Sequence, residues 1–324
     1  MRASLVAVAL AAAGAAYAQP APPDYPSRPI KLVVSQAPGG APDRIARFVA
    51  QTLAEGLGGN ASVVVENRPG ASGVIGTESV MRAPPDGYTL LLAGTTTHGM
   101  LPAVMPNVPY DPVKSFAPVA NLYGTVKALW VNATLPVTNL AEFNAYVAAR
   151  PGRLNYASGG VGSSNYIDME MYRAAADLDI VHVPYNGPAA GIAAVASGDT
   201  QMMIVSVTGA AGAAQAGKVR PIAVFAHARS PLFPDVRTAG EQGAGNVDLT
   251  AWLGIVAPAG TPPAIVAKLS DVLMRTLRTP KAQAWAASEG LETILEGSDA
   301  LAATIERDGQ RWRDTIKRLG IVPR

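Results

Sequence analysis

No cysteine occurs anywhere in the 324 residues, which excludes a disulfide framework and a thiolate metal site. A chain of this length does not need disulfides to hold its core. Neither sign of charge is in large excess: Lys and Arg number 26 against 24 Asp and Glu. That balance gives no electrostatic reason to expect nucleic acid or a charged membrane surface as partner. Histidine is scarce. His98, His182 and His227 are the only three, no two are spaced as metal ligands on a helix, and no carboxylate cluster resembles a metal or glycosidase site. There is no Gly-x-Ser-x-Gly elbow, no Ser-x-x-Lys pair and no Gly-Lys-Ser/Thr phosphate loop. Neither a metal nor a nucleotide cofactor is expected, and catalysis has little to stand on.

What is present begins with an address. Arg2 precedes an apolar run from Leu5 to Ala13, and Ala16-Tyr17-Ala18 fits the small-x-small pattern of a signal-peptide cleavage site. The run is too short for a permanent membrane span, and no later segment is apolar for long enough. Residues 1–18 therefore read as a signal peptide cut after Ala18, giving an exported chain with no direct membrane insertion. Losing Arg2 lowers the formal charge of +2 by one.

The remainder alternates strand and helix. Ile30-Lys31-Leu32-Val33-Val34 is a β-branched apolar run, and Ile45, Phe48, Val49, Leu53 and Leu57 recur at helical spacing until Gly58-Gly59. Strands are predicted at 63–65, 88–93, 154–157, 180–183, 201–205, 222–225 and 250–256. Helices are predicted at 73–83, 140–150, 164–176, 189–197, 263–278, 281–289 and 299–319, with Trp312 on the last apolar stripe. Nearly continuous apolar strands separated by helices imply a parallel sheet covered on both faces. An extended segment, Val119 to Val131, is long enough to pass from one domain to another, and 250–256 could return the chain. The expectation is two α/β lobes with a cleft between them: residues 19–124 and 249–324 in lobe 1, residues 125–248 in lobe 2.

Four short Gly/Ser/Thr-rich loops stand where a strand ends and a helix begins. They are Gln36-Ala37-Pro38-Gly39-Gly40-Ala41, Gly94-Thr95-Thr96-Thr97-His98, Ser158-Gly159-Gly160-Val161-Gly162-Ser163-Ser164 and Tyr185-Asn186-Gly187-Pro188. Such loops aim backbone N–H groups and small hydroxyls at one point, and a helix start adds partial positive charge. That is chemistry for holding an anion at the carboxyl ends of the strands, where open α/β sheets place their ligands. Asp43 would repel an anion, so it is read as a cap or as the ion-pair partner of Arg68, leaving the amides from Gly39 to Ala41 as donors. His182 reads as a satisfied structural group, His227 as surface, and His98 as a candidate to line the cleft. Gly70-Ala71-Ser72-Gly73-Val74-Ile75-Gly76 reads as a turn that lets a helix pack closely on the sheet.

Tyr25-Pro26-Ser27-Arg28-Pro29-Ile30 followed by Pro38-Gly39-Gly40-x-x-Asp43 resembles the start of Bug-type (TctC) solute receptors, the periplasmic binding proteins of tripartite tricarboxylate transporters. Glu66-Asn67-Arg68-Pro69-Gly70-Ala71-x-Gly73, Pro84-Pro85-Asp86-Gly87-Tyr88-Thr89-Leu90, Tyr110-Asp111-Pro112-Val113-Lys114-x-Phe116-Ala117-Pro118, Leu154-Asn155-Tyr156-Ala157-Ser158, Val181-His182-Val183-Pro184-Tyr185, Trp252-x-Gly254 and Ala257-Pro258-Ala259-Gly260-Thr261-Pro262 continue the likeness along the mature chain. The resemblance implies a type II Venus flytrap of two lobes, each a mainly parallel sheet flanked by helices, joined by two hinge crossings. It implies a small organic carboxylate in the cleft and a membrane transporter as protein partner; the alternative is a receptor that delivers its ligand to a membrane sensor kinase, and a monomer is expected in either case. The ligand-binding residues it implies are Pro38, Gly39, Gly40, Ala41, Thr95, Thr97, Ser158, Gly162, Ser163, Ser164, Tyr185, Asn186 and Gly187, and Gln36, Asn165 and Ser206 complete the expected site.

Three positions depart from the family pattern. Asn165 stands where many relatives have His, Asn186 replaces Lys or Arg, and Val205-Ser206 replaces Asp-Asn. The missing acid argues against amino acids and the missing base against a tricarboxylate, leaving mono- or dicarboxylates, aromatic ones included. A bulky residue at Ser163 or Ser164 is expected to abolish binding with little effect on the melting temperature. The rival from another class is an exported serine hydrolase using Ser158 or Ser163 with His98.

Overall fold

The computed structural model describes residues 25–320 apart from 106, 162, 245, 246 and 248; the signal-peptide segment and Gly162 lie outside the described residues. The chain opens with β1 (Ile30–Val34), α1 (Ala41–Leu57), β2 (Val63–Asn67), α2 (Val74–Met81) and β3 (Thr89–Gly94). Helix α1 forms where the apolar spacing predicts, burying Ile45, Val49 and Leu53, and it stops at Gly58, whose φ of 75° suits glycine. A π-helical turn, Thr96–Met100, and α3 (Leu101–Val104) precede the long strand β4 (Phe116–Thr125).

After β4 the chain needs only Val126 to begin β5 (Lys127–Asn132) of a different sheet. The second sheet is completed around α4 (Leu140–Ala148), β6 (Asn155–Ser158), α5 (Ser164–Ala175), β7 (Val181–Pro184), α6 (Pro188–Ser197), β8 (Met202–Ser206), α7 (Val207–Gln215) and β9 (Val219–Val224). The chain then returns to the first sheet with β10 (Ala251–Pro258) and ends with α8 (Pro263–Leu277), α9 (Pro280–Ser288), β11 (Leu291–Glu296) and α10 (Ser298–Arg318).

Strand order is β11-β4-β10-β3-β1-β2 in the first sheet and β7-β6-β8-β5-β9 in the second. Both sheets are mixed rather than mainly parallel. β1 pairs in parallel with β2 and β3, and β6 with β7 and β8. The strands that carry the chain between sheets run antiparallel: β10 to β3 and β4, β5 to β8 and β9. The expected extended segment is thus two strands in two sheets, and β11 and α7 are elements that periodicity did not reveal.

The two crossings are side by side. Thr125 opposes Ala251 in the β4–β10 register, and the Thr125 hydroxyl donates to the Ala251 carbonyl at 3.2 Å. Each sheet has its own apolar core, with Leu32, Val34, Leu90 and Ile255 in the first and Leu129, Tyr156, Tyr172 and Ile204 in the second. A separate cluster joins the two halves: Met100, Val104, Trp312 and Ile316 pack with Ile167 of α5. Trp312 is therefore buried, as its place on the apolar stripe predicts. Among the described residues, no helix is long and apolar enough to cross a membrane.

Candidate functional site

The β1–α1 loop is pinned from below by a carboxylate. Asp43 Oδ2 accepts from the Gly39 amide at 2.9 Å and from Arg47 Nε at 3.0 Å, and Oδ1 accepts from Asn67 Nδ2 at 3.0 Å. Burial pushes this carboxyl up, but the bonds from Arg47, Gly39 and Asn67 outweigh it and hold Asp43 below the usual carboxylate range. Asp43 thus pairs with Arg47 rather than with Arg68, which pairs with Glu66. The geometric reason is local: Arg47 is one turn along the same helix. Asp43 also occupies the Gly39 amide, so that expected donor is committed to the protein. No side chain caps the start of α1, which leaves the Gly40–Ala41 end of the loop facing solvent with the positive end of the helix behind it.

The Thr-rich segment behaves differently from its sequence reading. It is no open loop: β3 runs through Gly94 and a π-helical turn follows at once. Thr95 is buried, and its hydroxyl accepts from the Trp252 amide at 3.0 Å. Thr97 is also buried, with its hydroxyl on Gly94 and 3.0 Å from His98 Nδ1. The Thr95 hydroxyl thus ties the end of β3 to the returning strand β10, while the Thr97 hydroxyl is spent on Gly94 and His98, so neither is left free for a ligand. His98 is fully buried among the rings of Tyr110, Phe116 and Trp252, so it does not line a cleft.

Burial alone drives the His98 ring down to about 3. Unfolded, it takes up a proton near pH 6.5, so between those values the unfolded chain binds the extra proton and stability falls as pH drops. His98→Phe is expected to lessen that loss by about 1.4 kcal/mol per pH unit, read from urea midpoints at pH 6.5 and 5. An unchanged pH slope would mean that the ring titrates freely in the folded protein.

In the second sheet the predicted loops do meet. A Cβ placed on Gly159 would lie 3.4 Å from Ser163 Cβ and 3.5 Å from Gly187 Cα. The Tyr185 amide donates to the Ser158 carbonyl at 2.8 Å, joining the two loops at their roots. Ser163 caps α5: its hydroxyl accepts from the Tyr166 amide and donates to the Gly160 carbonyl at 2.6 Å. A substitution there removes a cap as well as a candidate contact, at about 1 kcal/mol, so the expectation of unchanged stability is withdrawn for Ser163 and kept for Ser164. Ser206 caps α7 through the Gly209 amide. Asn165 is buried and donates to the Ile204 carbonyl at 2.8 Å, which makes it a brace between α5 and β8. Tyr185, Asn186 and Gly187 keep solvent access.

Ser158 is fully buried and sits 2.6 Å from His182 Nε2. Ser158 is therefore paired with His182 and not with His98, which belongs to the core beneath the other sheet. His182 is a satisfied group, as its strand position implied, and His227 is exposed.

Sequence reasoning passed over Ser35. Its hydroxyl is buried without a hydrogen-bond partner, and a Cβ on Gly73 would come within 3.0 Å of it and 3.3 Å of Thr97 Cγ2. Its place at the root of the Gly-rich loop was the available signal. Gly76 packs against Ser35 Cα and the Arg68 carbonyl, so this glycine run is the close helix–sheet contact that was expected. Among the described residues no cluster of His, Asp and Glu could hold a metal ion.

Residues 45–321 match the Tripartite tricarboxylate transporter family receptor (TctC), and the chain belongs to that family of periplasmic solute-binding proteins. It is 30% identical over 320 residues to protein BugT of Bordetella pertussis, covering 98% of this chain and 97% of that one. Two solved structures share the fold. R. palustris Rpa4515 with adipate has a TM-score of 0.87 at 30% identity, covering 93% of this chain and 100% of that chain. MatC (Rpa3494) from Rhodopseudomonas palustris with bound malate has a TM-score of 0.81 at 32% identity, covering 90% and 100%.

Proposed function

We propose that this protein is an exported receptor that captures a small mono- or dicarboxylate between its lobes for a tripartite tricarboxylate-type transporter. In this reading the signal peptide is removed after Ala18 and the mature chain works in the periplasm as a monomer. Residues 19–124 and 249–324 form one lobe and 125–248 the other. The observation that carries the reading is that each of the two sheets carries a loop set suited to an anion at its strand ends. One is the uncapped start of α1 at Gly40–Ala41, and the other is the joined Gly159–Ser164 and Tyr185–Gly187 loops of the second sheet. Adipate in Rpa4515 and malate in MatC support the choice of carboxylate class.

The loops supply N–H and O–H donors, and the Ser158–His182 pair among their described residues has its hydroxyl fully buried, which favours binding over turnover. Hydrogen bonds to a carboxylate contribute about 1.5–3 kcal/mol each; set against ordering costs, a few of them predict micromolar affinity. Contacts made by both lobes at once favour the closed form. A thermal-shift screen over organic acids tests this. A ligand at a hundred times its Kd adds about 2.7 kcal/mol, a rise of several degrees. Ser164→Phe is expected to lose that rise while the empty protein melts within about 2 °C of its parent, because Ser164 caps nothing. No response to any acid, or a full response in Ser164→Phe, would overturn the reading.

A further inference from the structure

We propose that His182 is a positioning residue for the ligand-facing loop of the second lobe, holding that loop through Ser158 only while its Nε2 is free of a proton. The inference rests on the binding-site reading above, and it makes ligand capture sensitive to the protonation of a residue outside the cleft.

The topology brings the two side chains together. β6 and β7 are parallel, with Tyr156 opposite His182 and Ser158 opposite Pro184. Residues 156, 158 and 182 therefore share one face of the sheet, the face covered by α5, whose Tyr166 ring lies 4.8 Å from the imidazole. β7 is the edge strand, so His182 stays half-buried and within reach of protons from solvent, while Ser158 beside it is sealed.

The hydroxyl of Ser158 has one proton and two lone pairs. The Gly160 amide donates to its oxygen at 3.0 Å, and His182 Nε2 lies 2.6 Å away. With Nε2 bare, the hydroxyl donates to the imidazole and accepts from Gly160, and both Nε2 and the hydroxyl proton have a partner. With Nε2 protonated, the imidazole donates instead. The oxygen then accepts twice, and its own proton has no further acceptor among the described residues. A buried donor without a partner is costly, so the charged ring is at odds with this arrangement. The assignment of the proton follows from that balance.

The consequence travels along the loop. Gly160, at a φ of 98°, is held by Ser158 at its amide. At its carbonyl it accepts from the Ser163 amide at 3.1 Å and from the Ser163 hydroxyl at 2.6 Å. Ser163 in turn caps α5. His182, Ser158, Gly160 and Ser163 thus form one chain of bonds from the sheet edge to the loop that faces the cleft.

The groups facing the ring are Tyr156 from β6 and Tyr166 and Glu170 from α5, with Arg173 of α5 bonded to Glu170. Glu170, which accepts from the Tyr156 hydroxyl and pairs with Arg173, favours a charged imidazole. Burial opposes it more strongly and lowers the His182 value below 6.5. The neutral ring's contribution is therefore complete above about pH 6.5 and is lost as pH falls through the lowered value.

The test starts with the ligand-free full-length mature protein, by nuclear magnetic resonance of the histidine rings and amide exchange at Gly160. The expected ring at pH 7.5 carries its proton on Nδ1, and its titration moves to higher pH by half a unit or more in Ser158→Ala. Gly160 exchange is expected to quicken at least tenfold below the His182 transition. With the acid giving the largest thermal shift in the screen above, affinity should fall several-fold per pH unit below that transition. It should be flat within twofold in His182→Gln, whose amide oxygen accepts but does not titrate. A ring protonated on Nε2 at pH 7.5, a titration unmoved by Ser158→Ala, or parallel pH profiles for parent and His182→Gln would each overturn the proposal. If no acid binds at all, it is the receptor reading that fails, and the ring measurements still decide this inference.

Discussion

Replacing Lys127 with methionine is expected to cost the fold about 3–5 kcal/mol, the usual penalty for stripping one partner from a buried ion pair. Lys127 is the first residue of β5, directly after the crossing from the first sheet. Its Nζ lies 2.6 Å from Asp168 Oδ2, with side-chain exposures of 7% and 0%. The second carboxylate oxygen of Asp168 is buried with no hydrogen-bond partner. Burial pushes the Asp168 carboxyl up, and the attraction of Lys127, with a smaller pull from Arg311, draws it down. Without the lysine only the weaker pull of Arg311 opposes the burial, and the aspartate must either stay charged in an apolar setting or take a proton. The double variant Lys127→Met, Asp168→Leu is expected to recover to within about 1 kcal/mol of the parent or better, because removing both charges removes the desolvation cost with them. Denaturant unfolding with the slope checked for constancy measures both. A single variant within about 0.5 kcal/mol of the parent, the size of an ordinary surface substitution, would mean that the pair is solvated.

Gly76→Ala is expected to harm stability and binding together. A Cβ at Gly76 would lie 2.8 Å from the Arg68 carbonyl oxygen and 2.8 Å from Ser35 Cα. Both are backbone, so neither can swing aside as a side chain would. Helix α2 must lift from β1, at about 1–3 kcal/mol for overpacking of this kind. Ser35 is also the root of the Gln36–Ala41 loop, so the same displacement shifts the donors at Gly40 and Ala41, and affinity should drop tenfold or more. Gly212 is the control. It lies within α7, nothing stands within 4 Å of its Cβ position, and Gly212→Ala should stabilise by about 0.4–1 kcal/mol with binding intact. Calorimetry and urea unfolding of the two variants separate these outcomes. A Gly76→Ala protein as stable as its parent would show that the helix has room the structure denies it.

The local grammar of the fold was legible because it is written in short windows. The period of α1, the β-branched runs of β1 and β2 and the glycine stops all act within a few residues. These elements appear within one to three residues of their predicted bounds. The motif set and near-full-length coverage by relatives place the chain in its family without any three-dimensional information. Strand direction was not legible in the same way. An apolar strand buried on both faces reads alike in a parallel or antiparallel pair, so β4, β5 and β10 gave no sign that they would run against their neighbours.

The candidate site divides along the same line. That Gly-rich loops would stand at strand ends, near helix starts, followed from residue order alone. Which hydroxyls and amides in them remain available did not, since that depends on partners distant in sequence. Thr95 is bound to Trp252, 157 residues away, Asn165 to Ile204, 39 away, and Ser158 to His182, 24 away. The sequence by itself determined the secondary structure, the family and the chemistry of the loops, because short-range sterics and hydrogen-bonding inventory set these. Only the tertiary structure decided which polar groups are spent inside the protein and which face outward, because a side chain's hydrogen bonds are settled by whatever the folded chain brings beside it.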